Sequence, residues 1–524
     1  MAINPFNTVE VDTPNRNSFD LSHEKKLSLK MGNLTPVLCQ EVIPGDVFNI
    51  RPEMFTRFAP LVFPTMHEIN ATLHFFYVPN RILWKNWGKF IAGENYQPLQ
   101  LTKKDDVTKL QVEKGKLLDY LGLPITTNMQ DINLFPILAY YRIFNDYYQD
   151  QNNDPNFTTL RDALETVRDT MNGNIQFTNA QMINIIGSGS ERFKLKQRAY
   201  EHDYFTSALP FAQKGTPVNI PIEISQVLST VQVFTSHDFI TKLHNSGDIT
   251  ANAGGSILTG GIQSYLEGLG TSFNNDITLS GTINQLRQAY ALQGFLEKNA
   301  RSGTRYQELM LAHYGEDIKD YRISKPEYIG GLKNRIQINE VTSTAQTTEA
   351  ILGDYAGHAS GYITGDDINY HCPEHGVIIG IMSVLPKTAY QQGLHKLWSK
   401  PTYLDYYFPE FAHLGEQAIK NSEVYYDSVD GLNNDTFGYI PRYSELKYSN
   451  SQVCGDFRDQ LKDYHLGRIF ANRPVLNSQF IYCNPVDQNR IFAVTSDIDN
   501  LYCHIFFNIQ AQRKIPFFTN PSII

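Results

Sequence analysis

Residues 501–512 read LYCHIFFNIQAQ, and their order decides the fold class. The odd positions Leu501, Cys503, Ile505, Phe507, Ile509 and Ala511 are apolar; the even ones are Tyr502, His504, Phe506, Asn508, Gln510 and Gln512. Successive side chains of a strand point to opposite faces, so a period of two over this stretch predicts a long antiparallel strand with one face on a core. Phe506 is the one break in the alternation. Four further stretches, 46–58, 69–78, 376–385 and 490–495, are β-branched and aromatic and are bounded by Pro, Gly or Asn, as strands are. Their wide separation along the chain suits a sandwich whose strands are joined by large excursions.

Helical signals lie between these strands. Thr282 with Gln285, and Thr304 with Gln307, each place a hydroxyl three residues before a Gln, the spacing of a capping box. Behind the first, Leu286, Ala289, Leu292, Phe295 and Leu296 form a stripe at helical spacing; behind the second, Tyr306, Leu309, Met310 and His313 do the same. Both stripes read as core-facing. Residues 131–148 are a third candidate helix, rich in aromatics. Residues 251–261 (ANAGGSILTGG) and 268–281 are rich in Gly, Ser, Thr and Asn and poor in charge, which marks an insertion rather than a core. The polar stretches 105–116 and 149–156 read as surface excursions.

The 524 residues include 45 Lys+Arg and 54 Asp+Glu, a net charge of −9, and 19% are charged beside 30 Tyr and 31 Phe. An ordinary globular domain carries roughly 25% charged residues. This chain therefore covers little of itself with charge and has ample apolar surface to bury, which excludes disorder. Its acidity excludes nucleic-acid binding through a global basic field, which needs clustered Lys and Arg. The longest apolar run, GVIIGIMSVL at 376–385, is far short of the roughly 20 residues of a membrane span. The first residues hold no basic stretch followed by an apolar one, so neither export nor membrane insertion is expected. Cys39, Cys372, Cys454, Cys483 and Cys503 are scattered, with no CxxC pair, and are expected to be reduced core thiols.

Motifs for catalysis are missing. His371-Cys372-Pro373-Glu374-His375 gathers two imidazoles, a thiol and a carboxylate, but His at i and i+4 share a face only on a helix, and Pro373 interrupts one. The cluster reads as a turn entering the strand at Gly376. Asp105-Asp106 and Asp366-Asp367 sit in polar stretches, where adjacent acids are solvated. There is no GxSxG, and Gly187-Ser188-Gly189-Ser190 lacks the lysine of a P-loop. Neither an enzyme nor a cofactor or metal is expected. Lys25, Lys26 and Lys30 form a compact basic element, either a solvated face or a contact for an anionic polymer.

Taken together, the longer strings resemble the major capsid proteins of the Microviridae, specifically the gokushovirus branch of small bacterial viruses with circular single-stranded DNA. The likeness runs through residues 22–46 and 66–87 (MHEINATLHFFYVPNRILWKNW), where Pro79, Asn80, Arg81 and Trp84 close a strand. It continues through 198–222, 300–315, 322–331, 374–384 (EHGVIIGIMSV, opening with Glu374, His375 and Gly376), 390–417 and 437–458. It is broken chiefly at 100–125, 150–195 and 223–281.

The resemblance implies an all-β core: a single eight-stranded antiparallel jelly-roll β-barrel formed by residues 1–222 and 282–524, with long inter-strand insertions containing several helices. It implies that residues 223–281 are a variable insertion forming a threefold protrusion. Ala253, Gly254, Gly255, Ser256, Gly260 and Gly261 are its candidates for contact with a bacterial host surface receptor. Such subunits assemble with themselves, in the host bacterial cytoplasm, into a T=1 icosahedral virion capsid. A chain of net charge −9 does not neutralise a genome alone, so a small basic DNA-condensing virion protein is an expected partner. Packaged single-stranded DNA would meet Lys25, Lys26, Arg513 and Lys514, with aromatic side chains stacking on unpaired bases. Low charge with many Tyr and Phe suits subunits that meet at partly wet interfaces. The rival reading is a bacterial carbohydrate-binding or carbohydrate-processing β-sandwich protein, suggested by the aromatics and loose carboxylates but lacking an export signal and an identifiable acid pair.

Overall fold

A computed structural model describes residues 15–102, 110–129, 131–176, 178–216, 218, 223–225, 278–280, 283–302, 305–315, 325–342, 355–429, 431–494 and 498–517. The insertion candidates Ala253, Gly254, Gly255, Ser256, Gly260 and Gly261, and the capping residues Thr282 and Thr304, lie outside the described residues. The chain divides into a body, Met1–Ala212 with Ala300–Ile524, and a unit, Gln213–Asn299.

In chain order the long strands of the body are β1 (Asn17–Asp20), β2 (His23–Leu29), β3 (Thr35–Val42), β4 (Val47–Phe58), β5 (Ile69–Pro79), β6 (Glu327–Arg335), β7 (Gln337–Thr342), β8 (Tyr355–Thr364), β9 (Ile368–His371), β10 (Gly376–Pro386) and β11 (Leu501–Arg513). They make two antiparallel sheets. In the seven-stranded sheet β11 lies between β4 and the pair β1 and β2, while β4 also pairs with β8 and β9, and β7 borders β8. The four-stranded sheet runs β6-β5-β10-β3.

The alternation of 501–512 puts one face of β11 inside. Leu501, Cys503, Ile505, Phe507, Ile509 and Ala511 are buried in one core with Leu73, Phe75 and Met382 of the facing sheet. Phe507 meets Phe75 edge to face at 6.3 Å, and Cys503 Sγ lies 3.5 Å from Met382 Sδ. Phe506 does not interrupt the pattern: it pairs with Glu24 and Glu53 on the outward face.

The four-stranded sheet is covered on both sides, and every residue of β10 is buried. Its second face, with Phe76, Val78, Val377, Ile379 and Ile381, shares a core with α1 (Asn80–Leu83), α2 (Phe135–Ile143), α3 (Phe157–Thr170) and α4 (Ala180–Ile186). A strand buried on both faces needs apolar side chains at every position, which is why 376–385 reads as a continuous run. The candidate helix at 131–148 begins at Phe135, whose N–H is accepted by Asn133 Oδ1 at 3.0 Å, and ends in a π-helical turn, Phe144–Tyr148.

Several expectations are corrected. Residues 149–156 are not only a surface excursion, since Gln149, Asn153 and Asp154 are buried, and just beyond them Leu160, Ala163, Leu164 and Val167 form the buried stripe of α3, at the spacing of a helix laid on a core. Residues 490–494 do not form a strand, and Thr495 lies outside the described residues. Pro485–Ile491 is a 3-10 helix started by Asn484, whose side chain accepts from the Val486 N–H, and Phe492 makes only an isolated bridge to Leu61. Cys39 and Cys454 are exposed, whereas Cys372, Cys483 and Cys503 are buried. The helix α5 (Ile283–Ser302) forms as read, but Leu286, Leu292 and Phe295 of its stripe are exposed, so that stripe is not a core face. The next helix, α6 (Tyr306–Tyr314), is capped one residue later than read, with the Glu308 carboxylate accepting from the Arg305 N–H at 3.2 Å.

Two half-buried bases couple this body to pH. His74 of β5 lies with Nδ1 2.8 Å from Tyr148 Oη, and burial together with the nearby Arg198 guanidinium pushes its pKa down from 6.5 to about 4. The unfolded chain takes up that proton near 6.5, so the contribution to stability is complete above that pH and is lost as pH falls towards 4. His67, pushed down to about 4 chiefly by burial, acts in the same window. His74→Gln should weaken the pH dependence of the unfolding free energy between pH 6.5 and 4 while leaving the share from His67. Identical slopes in variant and wild type would contradict this.

Candidate assembly and nucleic-acid surfaces

The two short strings singled out at residues 79–84 and 374–376 come together in space. β5 and β10 pair from Ile69 opposite Pro386 to Pro79 opposite Gly376, so the exit of one strand adjoins the entry of the other. There the Arg81 guanidinium holds the Glu374 carboxylate with two bonds, 2.9 and 3.0 Å, and that partner raises the Arg81 pKa. The Asn80 N–H donates to the His375 carbonyl at 2.9 Å, and Tyr77 Oη donates to the Glu374 carbonyl at 2.9 Å. A methyl at Gly376 would run into the Val78 carbonyl, which only glycine avoids. Trp84 is fully buried; its Nε1–H donates to the Met171 carbonyl at 2.9 Å, and its ring packs near Phe90, Tyr96 and Phe135. His375 meets Trp87 edge-on at 5.6 Å. These residues form a clasp between the small sheet and the helical layer, and among the described residues no group of three His, Cys, Asp or Glu is placed to hold a metal.

The four basic candidates separate. Lys25 turns inward: its Nζ lies 2.5 Å from the Tyr120 carbonyl and 3.4 Å from that of Pro36, and burial lowers its pKa. Arg513 is also held within the subunit, with Nε 3.3 Å from Oδ2 of the buried Asp46, a bond of 2.7 Å to the Glu41 carbonyl, and Phe48 beneath its guanidinium at 5.4 Å. The stem of Lys514 rests beside Gly45. Lys26 is exposed and pairs with Glu24 at 3.0 Å.

Lys26 belongs to a surface that charge alone did not reveal. Across the outward face of the seven-stranded sheet, strand register lines up Tyr362, Phe55, His504 and Lys26 in one row. The flanking rows are Ser360, Arg57, Tyr502 and Ser28, and Thr364, Glu53, Phe506 and Glu24. Phe55, Tyr362 and Tyr502 are exposed there. The available signal was in the alternation itself, which places Tyr502 and Phe506 at outward positions where a purely solvated face would hold polar groups.

A family model described as capsid protein (F protein) matches residues 7–523. The chain belongs to this capsid protein family. It is 31% identical to capsid protein VP1 of Chlamydia phage 1, over 99% of this chain and 98% of that protein. It is also 31% identical to VP1 of Bdellovibrio phage phiMH2K, over 97% and 95%, and 26% identical to VP1 of Spiroplasma virus 4, over 97% and 95%. These relatives bear out the resemblance to Microviridae capsid proteins. The capsid protein is a structural component of the virion that self-assembles into a shell, and it is not an enzyme, which leaves the carbohydrate reading without support. Among the described residues no helix is long and apolar enough to cross a membrane.

Proposed function

We propose that this capsid protein is an eight-stranded jelly roll that builds a T=1 icosahedral shell around circular single-stranded DNA in the bacterial cytoplasm. The observation that carries the reading is the match of nearly the whole chain to phage capsid proteins. The strand order supports the fold. β1 with β2, both beside β11, and β8 with β9, both beside β4, each count as one interrupted ribbon, while β7 is an additional edge strand of the seven-stranded sheet and is left out of the numbering. Numbered along the chain, the resulting ribbons run 1-8-3-6 in one sheet and 2-7-4-5 in the other, the order of two Greek keys wrapped into a jelly roll.

Unpaired bases would stack on Phe55, Tyr362 and Tyr502, since every base has a π-face and such stacking tolerates any sequence. Lys26 is the basic candidate beside them and Lys514 is one at the far end of the sheet, by Gly45, while Lys25 and Arg513 serve the subunit's own packing. Bulk neutralisation falls to a small basic virion protein, because the chain is acidic. Residues 223–281 are the protruding insertion that meets the host receptor. Replacing residues 228–278 with a short Gly-Ser bridge should leave a subunit that folds and assembles into particles that no longer adsorb to host cells. Normal adsorption, or a subunit that cannot fold, would contradict the assignment of the insertion.

A further inference from the structure

We infer that residues 394–414, LHKLWSKPTYLDYYFPEFAHL, form a contact strap that docks on a second copy of this chain and on which shell assembly depends. The inference rests on the protein being a self-assembling capsid subunit and adds which surface does the work. None of these residues is buried, yet the segment is dense in large apolar side chains. Trp398 is 75% exposed, Tyr403 71%, and Tyr406, Tyr407 and Phe408 about half. Leu397 and Leu414 are exposed beside them.

The backbone of the strap is nevertheless fixed. Short 3-10 turns form at Lys396–Trp398, Tyr403–Asp405 and Pro409–Phe411. The Asp405 carboxylate accepts from both the N–H and the hydroxyl of Thr402, at 2.9 and 2.7 Å. From the body, Arg442 donates to the Leu404 carbonyl at 2.6 Å, and the hydroxyl of the buried Tyr443 lies 3.0 and 3.1 Å from the carbonyls of Leu404 and Tyr406. Lys396 Nζ stands 3.6 Å from Glu423. Peptide groups are therefore anchored inward while the aromatic side chains project outward. Ordering a segment costs conformational entropy that burial of its own apolar side chains would normally offset. Here half or more of that burial is missing in the single subunit.

Area and charge identify the occupant. A covered aromatic side chain buries roughly 150–250 Å², so five of them, half to three-quarters exposed, offer roughly 600 Å². The leucines bring the strap close to the roughly 800 Å² per partner of a standard protein interface, above the largest apolar patch of a typical monomer. Lys396 and Lys400 are balanced by Asp405 and Glu410. A strip without net charge exerts no net electrostatic pull on a polyanion or an anionic lipid surface, and it does not repel its own kind. Trp and Tyr are also the residues in which interface energy concentrates.

The test uses wild-type protein first. Hydroxyl-radical footprinting of free subunits and of purified particles should show Trp398, Tyr403, Tyr406 and Tyr407 severalfold less oxidised in particles. Equal oxidation in particles that have formed would overturn the strap and leave the capsid assignment standing. Protection that appears only when a small basic virion protein is present would also overturn it, since the occupant would then be another chain. As a second arm, the double variant Trp398→Ser/Tyr403→Ser should keep the wild-type circular dichroism spectrum and melting curve but remain as subunits in electron micrographs. Shells at wild-type yield would overturn the inference, and the footprint decides the matter even where that variant does not fold.

Discussion

Replacing Phe507 with alanine is expected to destabilise the free subunit by about 3–5 kcal/mol, the cost of deleting a large buried aromatic and leaving a cavity. Phe507 is fully buried at the centre of β11, edge-on to Phe75 of the opposite sheet at 6.3 Å and 5.4 Å from His23. Whole domains are stable by only about 5–15 kcal/mol, so this one truncation removes a large share of what holds the two sheets together. The next residue supplies the control. Asn508 points outward from the same strand, and Asn508→Ala should change stability by no more than about 0.5 kcal/mol. Urea unfolding reads both, with a lowered midpoint and an unchanged slope for the Phe507 variant. A loss below about 1 kcal/mol at Phe507, or a larger effect at Asn508, would mean that the two sheets do not share this core.

The second large effect is expected at Trp84. Trp84→Ala should cost about 3–5 kcal/mol through the cavity, with about 1 kcal/mol more because the Met171 carbonyl loses its donor. Trp84 caps the C-terminal end of α1, against Phe90, Tyr96 and Phe135, so the damage should concentrate in the helical layer. Hydrogen exchange should accelerate first in α2 and α3 and only later in β11. Trp84→Phe keeps an aromatic ring but not the N–H, and should recover most of the stability. If exchange in β11 and in the helical layer rose together, the clasp would not be a local joint.

The fold is legible where a residue's surroundings repeat along the chain. β11 has the same core beneath each odd position and the same open side above each even one, so its period of two survives in the sequence. β10 shows as a strand without revealing that α2, α3 and α4 cover its second face. The helical layer is harder to read, because the apolar positions of α3 are spaced among Arg161, Asp162, Glu165 and Arg168, and only the sheet beneath makes them a core face. The clasp is invisible to local reading for another reason: Arg81 and Glu374 are far apart in sequence and meet only through the register of β5 with β10. Charge misleads most at Lys25 and Arg513. Composition counts them as free cations, while the structure uses both on groups within the subunit, and the outward aromatic rows emerge only when three strands are aligned.

Electron cryomicroscopy of particles assembled from this chain tests the central claim most directly. The predicted result is a closed T=1 icosahedral shell in which each subunit density fits the two facing sheets. Monodisperse subunits or open aggregates under every assembly condition in which the protein stays folded would contradict it.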